Sequence, residues 1–385
     1  MRPLKIILTN LFLVVTLLLG SAHWHPVAAQ DAQPVFPFFL GTVTEVLEEK
    51  QVPSDGNTVN YIQRINIRRQ DTSEVVQITL GSEFQPLIES QRLRPQATVI
   101  LTTQQNVDGE QEVVVVEPYR LTLLFYLTLG FVILVILVAK LRGFLSLVGM
   151  VGSLLILVQF MIPQILKGTD PMMVSLVGSS IIATITVYLS HGFNLKSHLA
   201  LGSLLLTLFA VSVLATLSVK AAHLVGLGSE DAYYLQFGDT ARINLQGLLL
   251  GGIILGSLGV LDDIVIAQVS VVKQLITVNK KLNFEEVYQR AMEVGKDHVA
   301  SLVNTLVLAY AGANFPLFLL FYVNKNIPLW VTLNNQIVAE EIVRTLVGSI
   351  GLVLAVPLST LLAAAVLQRQ ANLIVTTPPA KKKGA

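Results

Sequence analysis

The chain has 385 residues, 53% of them hydrophobic and only 13% charged, with a formal net charge of +1. Soluble domains carry roughly 25% charged residues, so the composition points to a membrane protein. The near-neutral balance excludes the basic face that nucleic acid requires. Cysteine is absent, which removes disulfides, thiolate catalysis and zinc–thiolate sites. The six histidines are scattered: His23 and His25 sit near the start, and His191 and His198 flank a short loop. No metal site and no cofactor is expected from that spacing.

Arg2 and Lys5 precede an apolar run over 6–19, and Val27, Ala28 and Ala29 follow as small residues. This is the layout of an export signal over residues 1–29. An uncleaved anchor is the alternative, and it leaves the same downstream topology. Residues 30–118 change character. Short alternating runs at 42–47, 61–67, 74–80, 97–102 and 112–116 are separated by turn signals such as Ser54-Asp55-Gly56-Asn57 and Asp108-Gly109. They predict a small extracytoplasmic β-rich domain of about five strands, for which a barrel is one arrangement. Six basic against thirteen acidic residues give it a net charge of −7, which favours solubility.

Residues 119–372 predict an α-helical polytopic membrane domain of seven spans, near 121–139, 144–165, 172–189, 198–219, 244–272, 299–323 and 342–367. A tail over 373–385 follows. With the β domain outside, the inner loops receive Lys140, Arg142, Lys196, Lys273, Lys280, Lys281, Arg290 and Lys296, and the tail adds Lys381, Lys382 and Lys383. The outer loops hold Lys167, Lys220, Arg242 and Lys325, with Arg344 at a boundary beside Glu340 and Glu341. This excess sets the C-terminus in the cytoplasm and the protein in the cell membrane.

The fifth span is the informative one. Asp262 and Asp263 interrupt a stretch, 246–273, that is otherwise free of charge until Lys273. At about 1.5 Å per residue Asp263 lies roughly 15 Å from Lys273, close to mid-membrane if the helix continues. A carboxylate at that depth costs at least about 2.5–3.5 kcal/mol and is a functional-site hypothesis by default. Gly252, Gly256, Gly259, Asp263, Ala267 and Ser270 follow helical spacing and form one small-residue face. Such faces let helices approach closely, so Asp263 is expected to point into a helix–helix interface. Asp262 is turned about 100° away. The alternative is that the pair ends the helix at the inner surface and faces water.

The sixth span supplies a partner face. Asp297, Ser301, Asn304, Thr305, Leu308 and Gly312 fall on one side at helical spacing. Ser301, Asn304 and Thr305 could hydrogen-bond a carboxyl group, or serve only as interhelical glue. Residues 283–296 predict an amphipathic helix on the inner side, with Asn283 as N-cap and Phe284, Val287, Ala291 and Val294 as its apolar side. Ser349, Ser359 and Thr360 beside Pro357 on the seventh span read as packing residues.

The stretch from Gly251 to Gly312 resembles the YibE/F-like family of bacterial membrane proteins. The shared marks are Leu261-Asp262-Asp263 after a Gly-rich run, Val294-Gly295-Lys296-Asp297, Asn304-Thr305-Leu306 and Ala309-Tyr310. The resemblance extends more loosely back to Leu121, and it implies a multi-pass membrane protein without a settled biochemical activity. The order of Gly-rich span, Asp-Asp, apolar continuation and amphipathic helix is also distantly similar to resistance-nodulation-division transporters. That analogy implies Asp262 and Asp263 as proton-accepting groups. This chain departs from it in having no mid-span lysine and only a small outer domain.

The reading is a proton-linked membrane transport protein. Asp262 and Asp263 would carry the proton, Asn304, Thr305 and Asp297 would assist, and Gly252, Gly256 and Gly259 would form a helix-packing face. Its partners would be the lipid bilayer, a small-molecule or ion substrate, and a second copy or an extracytoplasmic protein. The alternative is a non-transporting scaffold whose outer β domain binds a partner. No nucleophile–base pair, phosphate loop or metal-ligand spacing supports an enzyme.

Overall fold

A computed structural model describes residues 37–53, 59–106, 109–237, 243–323 and 327–376. The export signal, the turn at 54–57 and the lysine-rich tail lie outside the described residues. The chain divides into two compact units, one reaching to Leu137 and one from Val138 onward.

The first unit carries strands β1 (Phe38–Pro53), β2 (Val59–Arg69), β3 (Val75–Leu80), β4 (Leu87–Ile88), β5 (Thr98–Gln105) and β6 (Gln111–Pro118). The order is β3-β2-β1-β5-β6, with β4 on β2 and every pairing antiparallel. Bulges between Val43 and Glu45 and between Val46 and Glu48 bend β1. Its first residues, Phe38 to Thr42, also pair with β5. The outer strands β3 and β6 approach one another. A long, bent first strand shared by both halves, in this order, is the arrangement of a five-stranded OB barrel.

Alternation builds the barrel core, because successive strand residues face opposite sides. Ile65 and Ile67 of β2 join Val43, Val99 and Leu101 at 1% exposure or less. Gly41 stands where β1 crosses this core, and a Cβ there would overlap Ile67 and Leu101. Among the described residues of this unit one polar side chain is enclosed. Gln63 accepts from the Leu93 N–H at 2.9 Å and donates to the Leu93 carbonyl at 3.2 Å and Glu49 Oε2 at 2.8 Å. Its burial is therefore compensated.

The helices are α1 (Leu121–Ile156), continued by a π-turn (Leu157–Met161) into α2 (Ile162–Leu166), then α3 (Pro171–His191), α4 (Leu195–Ala221), α5 (Glu230–Phe237), α6 (Leu245–Val278), α7 (Phe284–Ala313), α8 (Phe315–Val323), α9 (Leu329–Asn334) and α10 (Gln336–Thr376). Among the described residues five helical runs are long and apolar enough to cross a membrane, or six if a bent pair counts as one span. The seven segments read from the sequence map onto these runs with two differences. The first two apolar segments form one run, Leu121–Leu166, broken at Lys140, whose φ of 52° and ψ of −132° are not helical. The sixth is corrected from a straight span over 299–323 to α7 and α8, bent by 66°. Pro316 explains the bend. It lacks an N–H and crowds the preceding turn, and the chain caps α7 at Asn314 before restarting.

The connector helix expected over 283–296 is the first half of α7, not a separate element. Asn283 caps it, accepting from the Glu286 N–H, while the Glu286 carboxylate accepts from the Asn283 N–H. Its buried stripe is Val287, Ala291 and Gly295. Phe284 and Val294 are exposed.

The helical unit encloses small and hydroxyl residues. Ser175, Ser179, Ser203, Thr207, Ser212, Ser257, Ser359 and Thr360 are all buried. Several return their hydrogen to the preceding turn, as Thr207 does to Ser203 O at 2.8 Å and Ser359 to Ala355 O at 2.6 Å. Large apolar side chains cover the outside, among them Leu206, Phe209, Val213 and Leu217 on α4. Close helix approach through small residues, with an apolar exterior, is the packing mode of helices in lipid.

Candidate functional site

Contacts between α3 and α6 fix the level of the aspartate pair. Pro171 meets Gly247, Ser175 meets Gly251, and Thr186 faces Asp262. Each pair is 76 positions apart (247−171, 251−175, 262−186), so the two helices run parallel in one register. His191, the last residue of α3, is then level with Ala267 (191+76). Asp262 lies five residues, about 8 Å, before that end at 1.5 Å per residue. The α6 helix does continue past the pair, as the apolar run predicts. Its last eleven residues (268–278) project beyond α3 and pack beside the start of α7. There Gln268 Nε2 donates to Ala291 O at 2.8 Å and to Thr360 Oγ1 at 2.7 Å, tying α6, α7 and α10 together. Distance from Lys273 therefore overstates the depth of the pair. It sits toward the end of the bundle where α3 stops, called here the far end. The opposite, near end is where α3, α6 and α10 begin.

The two carboxylates have different surroundings. Asp262 is half-buried against α3. Its Oδ1 is enclosed and has no hydrogen-bond partner. Thr186, the hydroxyl that faces it, gives its hydrogen to Ile182 O at 3.0 Å or Ala183 O at 3.2 Å. Asp263 is exposed, as are Gly256 and Gly259. This corrects the expectation that Asp263 points into a helix–helix interface. The stripe that packs inward on α6 is Ile253, Ser257, Leu261, Ile264 and Gln268. Helical periodicity sorts residues into faces, but which face is covered depends on the neighbours. Here α6 packs against α3, α4 and α10, and the side it turns inward carries Ile253, Leu261 and Ile264.

The glycine face is met in part. A Cβ at Gly252 would stand 3.0 Å from Arg344 Nη1, and one at Gly256 would stand 2.9 Å from the Tyr310 hydroxyl. Nothing lies within 4 Å of the corresponding point at Gly259. On α7, Asp297, Ser301, Asn304 and Thr305 are exposed along one side, and Thr305 donates to Ser301 O at 3.1 Å. Among the described residues no hydrogen bond joins Asp262 or Asp263 to Asn304, Thr305 or Asp297. The structure thus presents an open polar line on α7 and, on α6, a single exposed carboxylate on a glycine-lined side.

Two groups of charged residues were not singled out by sequence reasoning. At the far end His191 lies within electrostatic reach of Asp263, Lys196 and Arg142, and Lys196 within reach of Lys273 and Arg142. His191 reads as a loop residue in the sequence. Its position directly before Gly192, whose φ of 74° ends α3, is the signal that makes it the last helical residue instead. At the near end Glu340, Glu341 and Arg344 belong to the first turns of α10 and line a cavity. No cluster of three or more His, Asp or Glu placed to hold a metal occurs among the described residues.

A family profile described as YibE/F-like protein matches residues 127–369, which is more than half of the chain and includes the aspartate pair and both charged groups. No curated protein matches the chain, and no solved structure does.

Proposed function

The chain belongs to the YibE/F-like family, and from that premise we propose a multi-pass membrane protein that couples transport to proton movement through Asp262 and Asp263. In this reading the chain crosses the bilayer seven times, with the break at Lys140 and the bend at Asn314 as the irregular points. The near end of the bundle and the β barrel face outward. The far end and the C-terminus face the cytoplasm. The gathering of Arg142, Lys196 and Lys273 at the far end supports this orientation, since basic residues favour the cytoplasmic side.

The observation that carries the reading is the inequivalence of the two carboxylates. Asp263 is exposed on the glycine-lined side of α6, where a proton could arrive or leave. Asp262 turns an oxygen without a partner into the contact with α3. A proton on that oxygen would neutralise the enclosed charge and give it a hydrogen to donate to Thr186 Oγ1. Without the proton the carboxylate can only accept from the Thr186 hydroxyl, which otherwise bonds its own helix, so the proton reverses the direction of that contact and biases how α3 and α6 pack, a local event able to select between two arrangements. His191 stands next in line toward the basic end.

The test is proton uptake by the purified chain in sealed vesicles containing a pH-sensitive dye, under an imposed pH gradient. Replacement of both aspartates by Asn is expected to abolish uptake. Unchanged uptake in that variant would reject the role of the pair. A second reading, a non-transporting scaffold, draws support from the barrel, because OB barrels present a binding face over their second and third strands. Under it, aspartate variants keep full biological activity while removal of the barrel abolishes it.

A further inference from the structure

We propose that the basic group at the far end of the helical unit binds the phosphate headgroup of an anionic phospholipid between Arg142, Lys196 and Lys273. The inference rests on the reading of the helical unit as a membrane domain and is independent of proton coupling. The three cations come from three elements of that unit. A Cβ at Gly149 of α1 would stand 3.7 Å from Leu189 and 3.8 Å from Thr186, and one at Gly178 of α3 would meet Met161. The run from α1 to Met161 is therefore antiparallel to α3. Arg142 precedes Gly149 by seven residues, about 10 Å, which carries it to the end where α3 stops. Lys196 is the second residue of α4. Lys273 lies six residues past Ala267, the level of His191 on α6. The turn that presents Lys196 is tied in place. Asn194 Nδ2 donates to His191 O at 2.8 Å and Gly192 O at 3.2 Å. The Tyr188 hydroxyl meets His198 Nδ1 at 2.7 Å, and the Phe193 ring stacks on Tyr188 at 4.3 Å.

Nothing in the chain balances these charges. Among the described residues none of the three forms an ion pair. The charged groups within electrostatic reach of the half-buried Lys196 are Arg142 and Lys273, both positive. Asp263 reaches His191, which sets one carboxylate against three cations. A bias of basic residues to one side of a membrane is met by charges spread along the loops. It does not require three of them, from separate helices, to converge against their own repulsion. An anion in contact with all three relieves that repulsion. Phosphate suits the set, because a guanidinium presents a fork to its oxygens and an ammonium a point charge. Basic pockets between spanning helices hold lipid headgroups in this way. The surroundings favour a lipid over a soluble phosphate. Leu141 and Phe144 beside Arg142, and Phe193 before Lys196, are all exposed, and apolar surface at the rim of a charged site marks contact with a membrane.

The experiment is native mass spectrometry of the full-length chain in detergent, titrated with phosphatidylglycerol or with phosphatidylcholine of the same acyl chains. The first phosphatidylglycerol should bind at least fivefold more tightly than the first phosphatidylcholine. Combined Arg142→Gln, Lys196→Gln and Lys273→Gln should bring that ratio close to one. Combined Lys280→Gln, Lys281→Gln and Arg290→Gln removes the same charge elsewhere and should leave the ratio unchanged. Size-exclusion elution reports the folding of each variant. Should the first variant fail to fold, photo-crosslinking of the wild type by a diazirine-bearing phosphatidylglycerol takes its place, with adducts expected within 141–144 and at Phe193 by peptide mapping. The proposal is overturned by equal affinity for the two lipids, by an equal fall in the ratio in both variants, or by adducts confined to other segments. It is also overturned if inorganic phosphate displaces the lipid where chloride of the same ionic strength does not, since the site would then serve a soluble anion. Flotation of the wild type with phosphatidylcholine vesicles after an alkaline wash tests the membrane reading separately. Failure to float overturns both, whereas flotation with equal lipid affinities overturns this proposal alone.

Discussion

The two units share a branched aliphatic interior but differ in the polar groups they enclose and the apolar groups they leave outside. In the barrel, large branched residues go inside: Val43, Ile65, Ile67, Val99 and Leu101 fill the centre, while ion pairs such as Arg92 with Glu49 at 2.6 Å and Arg69 with Asp71 at 2.7 Å lie on the surface. In the helical unit, serines and threonines are enclosed, and Phe209 and Leu217 face outward at 59% and 62% exposure. Water rewards burial of apolar area by about 25 cal/mol per Å², and the barrel encloses a branched aliphatic core. Lipid gives no such reward between helices, and close backbone approach and interhelical hydrogen bonds take over. The apolar exterior and enclosed hydroxyls of the helical unit thus fit the rules of lipid, and the charged surface of the barrel fits those of water.

The strongest way to break this contrast is truncation in the barrel core. Ile67→Ala should destabilise the barrel by about 2–5 kcal/mol, the usual range for enclosed aliphatic truncation, as read from chemical unfolding followed by circular dichroism. Leu217→Ala, on the outer surface of α4, should leave the thermal midpoint of the chain in detergent nearly unchanged. A comparable loss at both positions would mean that the helical unit is packed like the barrel.

Enlarging a small interior residue is the mirror experiment. A Cβ at Gly295 would already overlap Val356 and crowd Gln268. Gly295→Leu should therefore cost about 1–3 kcal/mol by overpacking, seen as a lower midpoint for the helical unit with the barrel transition unmoved. A smaller effect is expected where one polar side chain joins three helices. Gln268→Leu removes the bonds to Ala291 O and Thr360 Oγ1, and interhelical bonds of this kind average about 0.6 kcal/mol with a maximum near 1.7. A midpoint shift that exceeds the Gly295→Leu shift would overturn that ranking.

The smallest effect belongs to the barrel surface. The Arg69 guanidinium hydrogen-bonds the Asp71 carboxylate and holds its pKa below the ordinary 3.8. A depressed folded-state value stabilises above the unfolded value and loses that contribution as pH falls through the folded one. Barrel stability should therefore decline slightly more steeply below about pH 4 in the wild type than in Asp71→Asn, by acid titration of the unfolding midpoint. Salt should shrink the difference, because the pair is solvent-exposed.

The two units were also unequally legible. Alternation along β2 and the turn residues between runs identify five strands within a few positions. The pairing order that makes an OB barrel is not written in alternation, since it depends on how the bulged β1 divides its partners. Hydropathy locates the helical runs, but not the fate of their faces. The small-residue stripe from Gly252 to Ser270 has the right spacing for an interface, yet the side of α6 that packs inward carries Ile253, Leu261 and Ile264. Gln268 was hidden by the apolar residues around it. Arg344 and Glu340 read only as a span boundary, since a charged cluster beside an apolar run looks the same whether or not it also lines a hollow. The Asn314-Phe315-Pro316 break was missed, because the apolar continuity on either side concealed it.

The account rests most heavily on the different surroundings of the two neighbouring aspartates. The chain contains no cysteine, so one introduced at either position is a unique reporter. The decisive measurement is the rate at which a small water-soluble maleimide labels Asp262→Cys and Asp263→Cys in vesicles, with both variants checked for folding by elution. The account predicts ready labelling at position 263 and protection at 262, with the contact to α3 shielding it. Equal rates, or faster labelling at 262, would contradict it and return Asp263 to a closed helix–helix interface.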